Sequence, residues 1–145
     1  MNISAKLTEL FKLSTAIFMT WMFHKYNFRF QPGEISTLAG VLAGASGTIL
    51  GFLITAIALM ASVMDRDLLK NLRATGGYRI LISGSFVCAF LFLLLLASSI
   101  CLLLPWAGEK QLLLLLNIFI GSLAAIQLAG TGLGFYRIIM SISRG

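Results

Sequence analysis

Acid is what this chain has least of. Only Glu9, Glu34, Asp65, Asp67 and Glu109 are acidic among 145 residues, and at most Glu9 can fall within an apolar run. A proton-coupled transporter keeps a carboxylate or histidine in mid-membrane to carry its proton. The three clearest apolar runs hold neither, which argues against a small drug/proton antiporter. The single histidine, His24, stands among interfacial residues with no obvious acid or nucleophile partner. It reads as an interface residue rather than a general base. The two cysteines, Cys88 and Cys101, share one apolar run, thirteen residues apart. On a helix that is roughly 20 Å, too far for a disulfide. There is no Cys-x-x-Cys, metal cluster, nucleophile elbow or phosphate-binding loop. The sequence therefore predicts no enzyme and no cofactor.

Charge of either sign is also sparse, at 11% of residues, against about a quarter in a soluble domain. What fills the space is apolar: 59% of residues are hydrophobic and the mean hydropathy is +0.96. This composition predicts an all-α integral membrane protein of one domain.

Three segments are long and apolar enough to span a bilayer, which takes about 20 residues. They are 36–64, 79–105 and 111–140. The second contains the run Phe90–Leu96 and ends at Pro105, Trp106, Ala107 and Gly108, a turn with an interfacial tryptophan. The link to the third is so short that these two form an antiparallel hairpin. Residues 1–35 are less regular. Leu7, Leu10, Phe11, Ile17, Phe18, Trp21 and Met22 share a helical face, as in an interfacial helix, yet residues 13–23 are apolar nearly all round. An aromatic and basic cluster from Trp21 to Phe30 and a turn at Gln31–Glu34 follow.

The Lys/Arg count chooses between the two readings. With three spans it divides six to five across the membrane; with a fourth span near residues 7–23, Lys6 and Lys12 change sides and it becomes eight to three. Cytoplasmic loops carry the excess of Lys and Arg. The expectation is thus three clear spans plus an N-terminal fourth, Lys12 snorkelling toward its end, with both termini cytoplasmic at a bacterial inner membrane. Net charge of +6 is accounted for by this rule and by anionic lipid headgroups. Residues 65–73 continue the second helix into the cytoplasm, and 74–78 form a glycine-ended turn.

Two stripes stand out. Gly40, Gly44, Gly47, Gly51, Thr55, Ala58 and Ser62 recur at spacings of four and three, so they share one helical face. In lipid a small-residue face lets a second helix approach closely, or leaves room for a water path. The last span carries Asn117, Gly121, Ala124, Gln127 and Thr131 on one face. These side chains either bond to other helices or line a wet pore. Both stripes are expected to serve oligomer packing or a lumen. Gly130–Tyr136 looks superficially like a potassium filter, but its spacing is wrong and no pore helix precedes it; a glycine-softened helix end suits it better.

Arg66, Lys70, Arg73 and Arg79 gather beside the cytoplasmic end of the first stripe. In a ring of copies they would form a basic collar for lipid phosphate, a soluble regulatory protein, or a nucleotide or nucleic-acid ligand. One copy has too few helices to enclose a wide path, so a channel here is a homo-oligomer, with a tetramer as the working number. The alternatives are a non-conducting sensor or adaptor that recruits a soluble partner through the basic loop, and a holin-like lysis protein.

The stretch LAGVLAGASGTILGF (38–52), the basic DLLKNLRATGGY (67–78) and the Leu-rich span that follows resemble small multi-span effectors of bacterial anti-phage defence loci. The resemblance covers residues 36–105 and carries over no particular functional residue. It implies a gated channel or pore that collapses the membrane potential of an infected cell, held closed by a soluble partner or nucleotide signal. A membrane glutathione transferase would match in length and span number, but its intramembrane Glu-Arg pattern is missing.

Overall fold

The structure, a computed structural model, describes residues 3–26, 31–62, 77–104 and 110–142; for residues 3–6, 32, 77–80, 138, 139, 141 and 142 it describes the backbone alone. The described residues form four α-helices: α1 (Ile3–Lys25), α2 (Pro32–Ser62), α3 (Gly77–Leu103) and α4 (Lys110–Ile142). Three carry stretches long and apolar enough to cross a membrane: Gly33–Ser62, Leu81–Leu103 and Lys110–Arg137. That is the make-up of a multi-pass membrane protein. The extension expected over 65–73 and the turn at 74–76 lie outside the described residues.

The segment read as a turn at Gln31–Glu34 is the start of α2. Proline at the first helical position lacks the N–H that would be orphaned there. The Glu34 carboxylate accepts the Gln31 N–H at 2.8 Å, one half of a capping box.

α3 and α4 are the central pair. α2 packs on α3, and α1 packs on α4. The buried residues of α3 are Leu81, Ser85, Cys88, Phe92, Leu95, Ser99 and Leu102. They alternate at spacings of four and three, the seam of a left-handed helix pair. On α4 the facing positions are Leu114, Asn117 and Ala124, all buried, with half-buried Gly121 between them. A Cβ at Gly121 would sit 3.6 Å from Leu95, and one at Gly84 would sit 3.7 Å from the Thr131 hydroxyl. Together with Ser99 against Asn117, these pairs fix an antiparallel register.

Two clusters hold the bundle, one at mid-height and one at the end beside the α3–α4 link. Cys88, Phe92, Leu95 and Ala124 form one, with Ile49, Leu50 and Leu53 of α2 against it. Ala39, Leu102 and Leu114 form the other, joined by Phe23 of α1 and Ile35 of α2. All four helices meet there. Small or mildly polar residues (Ala39, Ser46, Ser85, Ser99, Asn117 and Ala124) make up much of the interior beside Leu and Phe of the seam, whereas Phe11, Phe52 and Leu112 point outward, more than 70% exposed. A soluble fold would invert this. In lipid no hydrophobic force separates inside from outside, and close approach of backbones selects small residues for the contacts.

Candidate functional site

α2 presents two different faces. Its contact face toward the bundle holds buried Ala39 and Ser46 with half-buried Ala43, Leu50 and Leu53. From Gly40 to Gly51 the small-residue stripe lies one residue further on at each step, about 100° around the helix. Gly40, Gly44, Gly51, Thr55, Ala58 and Ser62 are exposed, and Gly47 is half-buried at the rim. A Cβ at Gly40, Gly44 or Gly51 would meet nothing within 4 Å, and one at Gly47 would just reach Leu96 at 4.0 Å. Among the described residues no packing uses the smoothness of this face. The Thr55 hydroxyl donates to the Gly51 carbonyl at 2.9 Å and Ser62 to the Leu59 carbonyl at 2.9 Å. Both polar groups are satisfied within the helix, so the face can meet another helix without stranding a donor.

The α4 stripe points the other way, into the chain. The Asn117 side-chain oxygen accepts from Ser99 at 2.9 Å and from Ser98 at 3.1 Å. Its amide nitrogen is buried and has no hydrogen-bond partner among the described residues. Gly121 admits Leu95, and Ala124 is fully buried. The Thr131 hydroxyl donates to the Gln127 carbonyl at 2.9 Å. Glycines 130, 132 and 134 lie within continuous helix.

Asn117 combines a gain and a cost on one side chain. Its oxygen ties α3 to α4, while the orphaned amide forfeits part of that gain. Intramembrane hydrogen bonds contribute about 0.6–2 kcal/mol. Asn117→Ala is expected to lower stability by about 1 kcal/mol, read by steric trapping or by unfolding in mixed micelles. A loss several times larger would mean that Asn117 does more than bridge two helices.

The third arrangement centres on Lys12. Its ammonium donates to the Glu9 carboxylate at 2.7 Å and to the Gln127 side-chain oxygen at 2.7 Å. The lysine side chain is only 15% exposed, against 71% for Glu9. Rather than reaching for water alone, Lys12 anchors α1 to α4. Around it lies a cavity of about 670 Å³ between α1, α3 and α4, with Leu81, Val87, Thr131 and Arg137 in its wall. The far end of α1 is aromatic and basic. Trp21 stacks on Phe18 with ring centroids 6.2 Å apart, and Lys25 lies 4.9 Å from the centre of the Trp21 ring. Amphipathic groups of this kind settle at the membrane–water boundary.

Of the basic group, Arg66, Lys70 and Arg73 lie outside the described residues. Arg79 is in the first turn of α3, where the backbone alone is described. The sequence reading missed the partners rather than the residues. Ser98, Ser99 and Asn117 stand at similar distances on either side of the turn between α3 and α4, so hairpin symmetry was the signal that could have paired them. Nothing in the sequence pairs Lys12 with Gln127. Among the described residues no group of three or more His, Cys, Asp or Glu could hold a metal.

Comparison with family models, with curated proteins and with solved structures returned no match.

Proposed function

We propose that the chain is a pore-forming membrane protein that works as a homo-oligomer, with copies meeting along the small-residue face of α2. The observation that carries this reading is the free face itself. Seven small residues extend along α2, the described bundle is packed almost without them, and a Cβ at Gly40, Gly44 or Gly51 would meet open space. A face that met only acyl chains would have no use for such smoothness, whereas a neighbouring helix would. Polar groups of α4 are spent on contacts within the chain, which leaves α2 as the helix to line a narrow path at the axis of a ring. The anti-phage setting, with collapse of the membrane potential as the outcome, rests on the resemblance of residues 36–105 alone.

The test is current through purified protein in planar bilayers, paired with cysteine accessibility along residues 40–62. Conductance with labelling at alternate fourth and third positions is expected. Silence under every ligand condition, with uniform protection of that face, would sink the pore and leave the adaptor reading.

A further inference from the structure

We propose that the cavity between α1, α3 and α4 is a binding site for one anionic membrane phospholipid. It is independent of the α2 face and of any pore.

Among the described residues its charged lining is Lys12, Arg137 and Glu9, two cations against one acid. The site therefore has a single net positive charge to complement, and a phosphodiester headgroup with one further anionic or neutral substituent supplies it. A lysine ammonium has three N–H donors. Lys12 commits two, to Glu9 and Gln127, and no third partner exists among the described residues. Arg137 is exposed and makes no hydrogen bond or ion pair among the described residues. Both cations thus retain donors that a ligand can take.

The placement of these donors suits a lipid. Arg137 is ten residues beyond Gln127 on α4, about 15 Å along the axis. Arg137 stands five residues before the C-terminal end of α4 at Ile142, on the side of the helix end that approaches the membrane surface. Lys12 lies deeper, and both cations line the same cavity, so a headgroup drawn in beside Arg137 is also in the field of the Lys12 ammonium. The wall between them is apolar and smooth: Leu81, Val87, Gly84 and Gly130 line it, and an acyl chain can lie along it. The volume of about 670 Å³ falls in the ordinary range for ligand cavities, about 300–1,000 Å³. The site accounts for a lysine held away from water beside a space that no described side chain fills.

Native mass spectrometry of the full chain, released from nanodiscs of phosphatidylglycerol or of phosphatidylcholine, tests it. One phosphatidylglycerol per chain is expected to survive delipidation, with phosphatidylcholine retained about tenfold less, because its choline cation cancels the phosphate charge and meets a site of net positive charge. Arg137→Gln and Lys12→Gln should each lower retention by a similar factor. Gly130→Leu should do so without touching a charge, because a Cβ there has open space and the side chain fills the cavity. Lys110→Gln, at the opposite end of α4, should leave retention unchanged. Equal retention of both lipids, or retention unaffected in all three cavity variants, overturns the proposal. Displacement of the bound lipid by millimolar inorganic phosphate would overturn it too, in favour of a soluble phosphate ligand.

Discussion

Gly51→Leu is expected to dissociate the oligomer while the single chain stays folded. A Cβ at residue 51 meets nothing within 4 Å in the monomer, so the bundle has no reason to resist leucine there. Between two copies the same side chain must fit where backbones approach closely. Overpacking costs about 1–3 kcal/mol per site, and a contact between like faces carries the change twice. Association should weaken by about thirtyfold or more, read by single-molecule photobleaching or mass photometry in nanodiscs. Gly44→Leu should behave alike, since that position is equally open. Gly121→Leu gives the contrast. Its Cβ would already touch Leu95 at 3.6 Å, so the larger side chain should disrupt packing of α3 on α4 and lower monomer stability. If Gly44→Leu and Gly51→Leu both leave the oligomer and its conductance intact, the α2 face is not where copies meet.

Tyr26→Cys should label from the outer face of the membrane, and cysteines placed near either chain terminus from the cytoplasm alone. Labelling of that kind would place α1 across the bilayer as a fourth span. Composition opposes the placement, because Lys6, Glu9 and Lys12 dilute the apolar run. An unpaired lysine at the centre of a membrane helix costs about 2.5–3.5 kcal/mol. Packing counters that cost. The Lys12 ammonium has a carboxylate and an amide oxygen at 2.7 Å, each charge-assisted and short. At the other end Phe23 joins the cluster around Leu102 and Leu114. Lys12 beside Gln127 and Phe23 beside Leu114 set α1 antiparallel to α4, along the direction of the apolar helices. The eight-to-three division of Lys and Arg agrees with four crossings. Labelling of Tyr26→Cys from the cytoplasmic side only would show that α1 lies in the interface instead. Gln127→Leu should then matter little; if α1 spans, that change should loosen it from α4, visible as lost crosslinking between cysteines placed on the two helices.

Much of the architecture was legible from composition. The apolar runs found their helices, the hairpin followed from a short link, and the small-residue stripe was visible by spacing alone. The buried seam of α3 was not. Leu81, Cys88, Phe92, Leu95 and Leu102 stand in a helix with Phe86, Val87, Phe90, Leu93 and Leu94 on its outer side, and hydropathy is the same on both. Ser85 and Ser99 mark the inner face faintly. The stripe on α4 posed the opposite difficulty, because a polar residue in lipid seeks any partner. Water in a lumen and a serine on the next helix satisfy Asn117 equally well in sequence terms.

By itself the sequence determined that this is a helical, multi-pass type of chain and where its apolar helices run, because solvation by lipid depends on the composition of a segment and hardly on its neighbours. Only the tertiary structure decided which faces are consumed inside the chain and which remain free. In lipid that choice turns on how closely two backbones can approach and which donor finds which acceptor, and both depend on residues far apart in sequence. Hence Asn117 and Ala124 are spent within the bundle, Lys12 finds Gln127, and the glycines of α2 remain open.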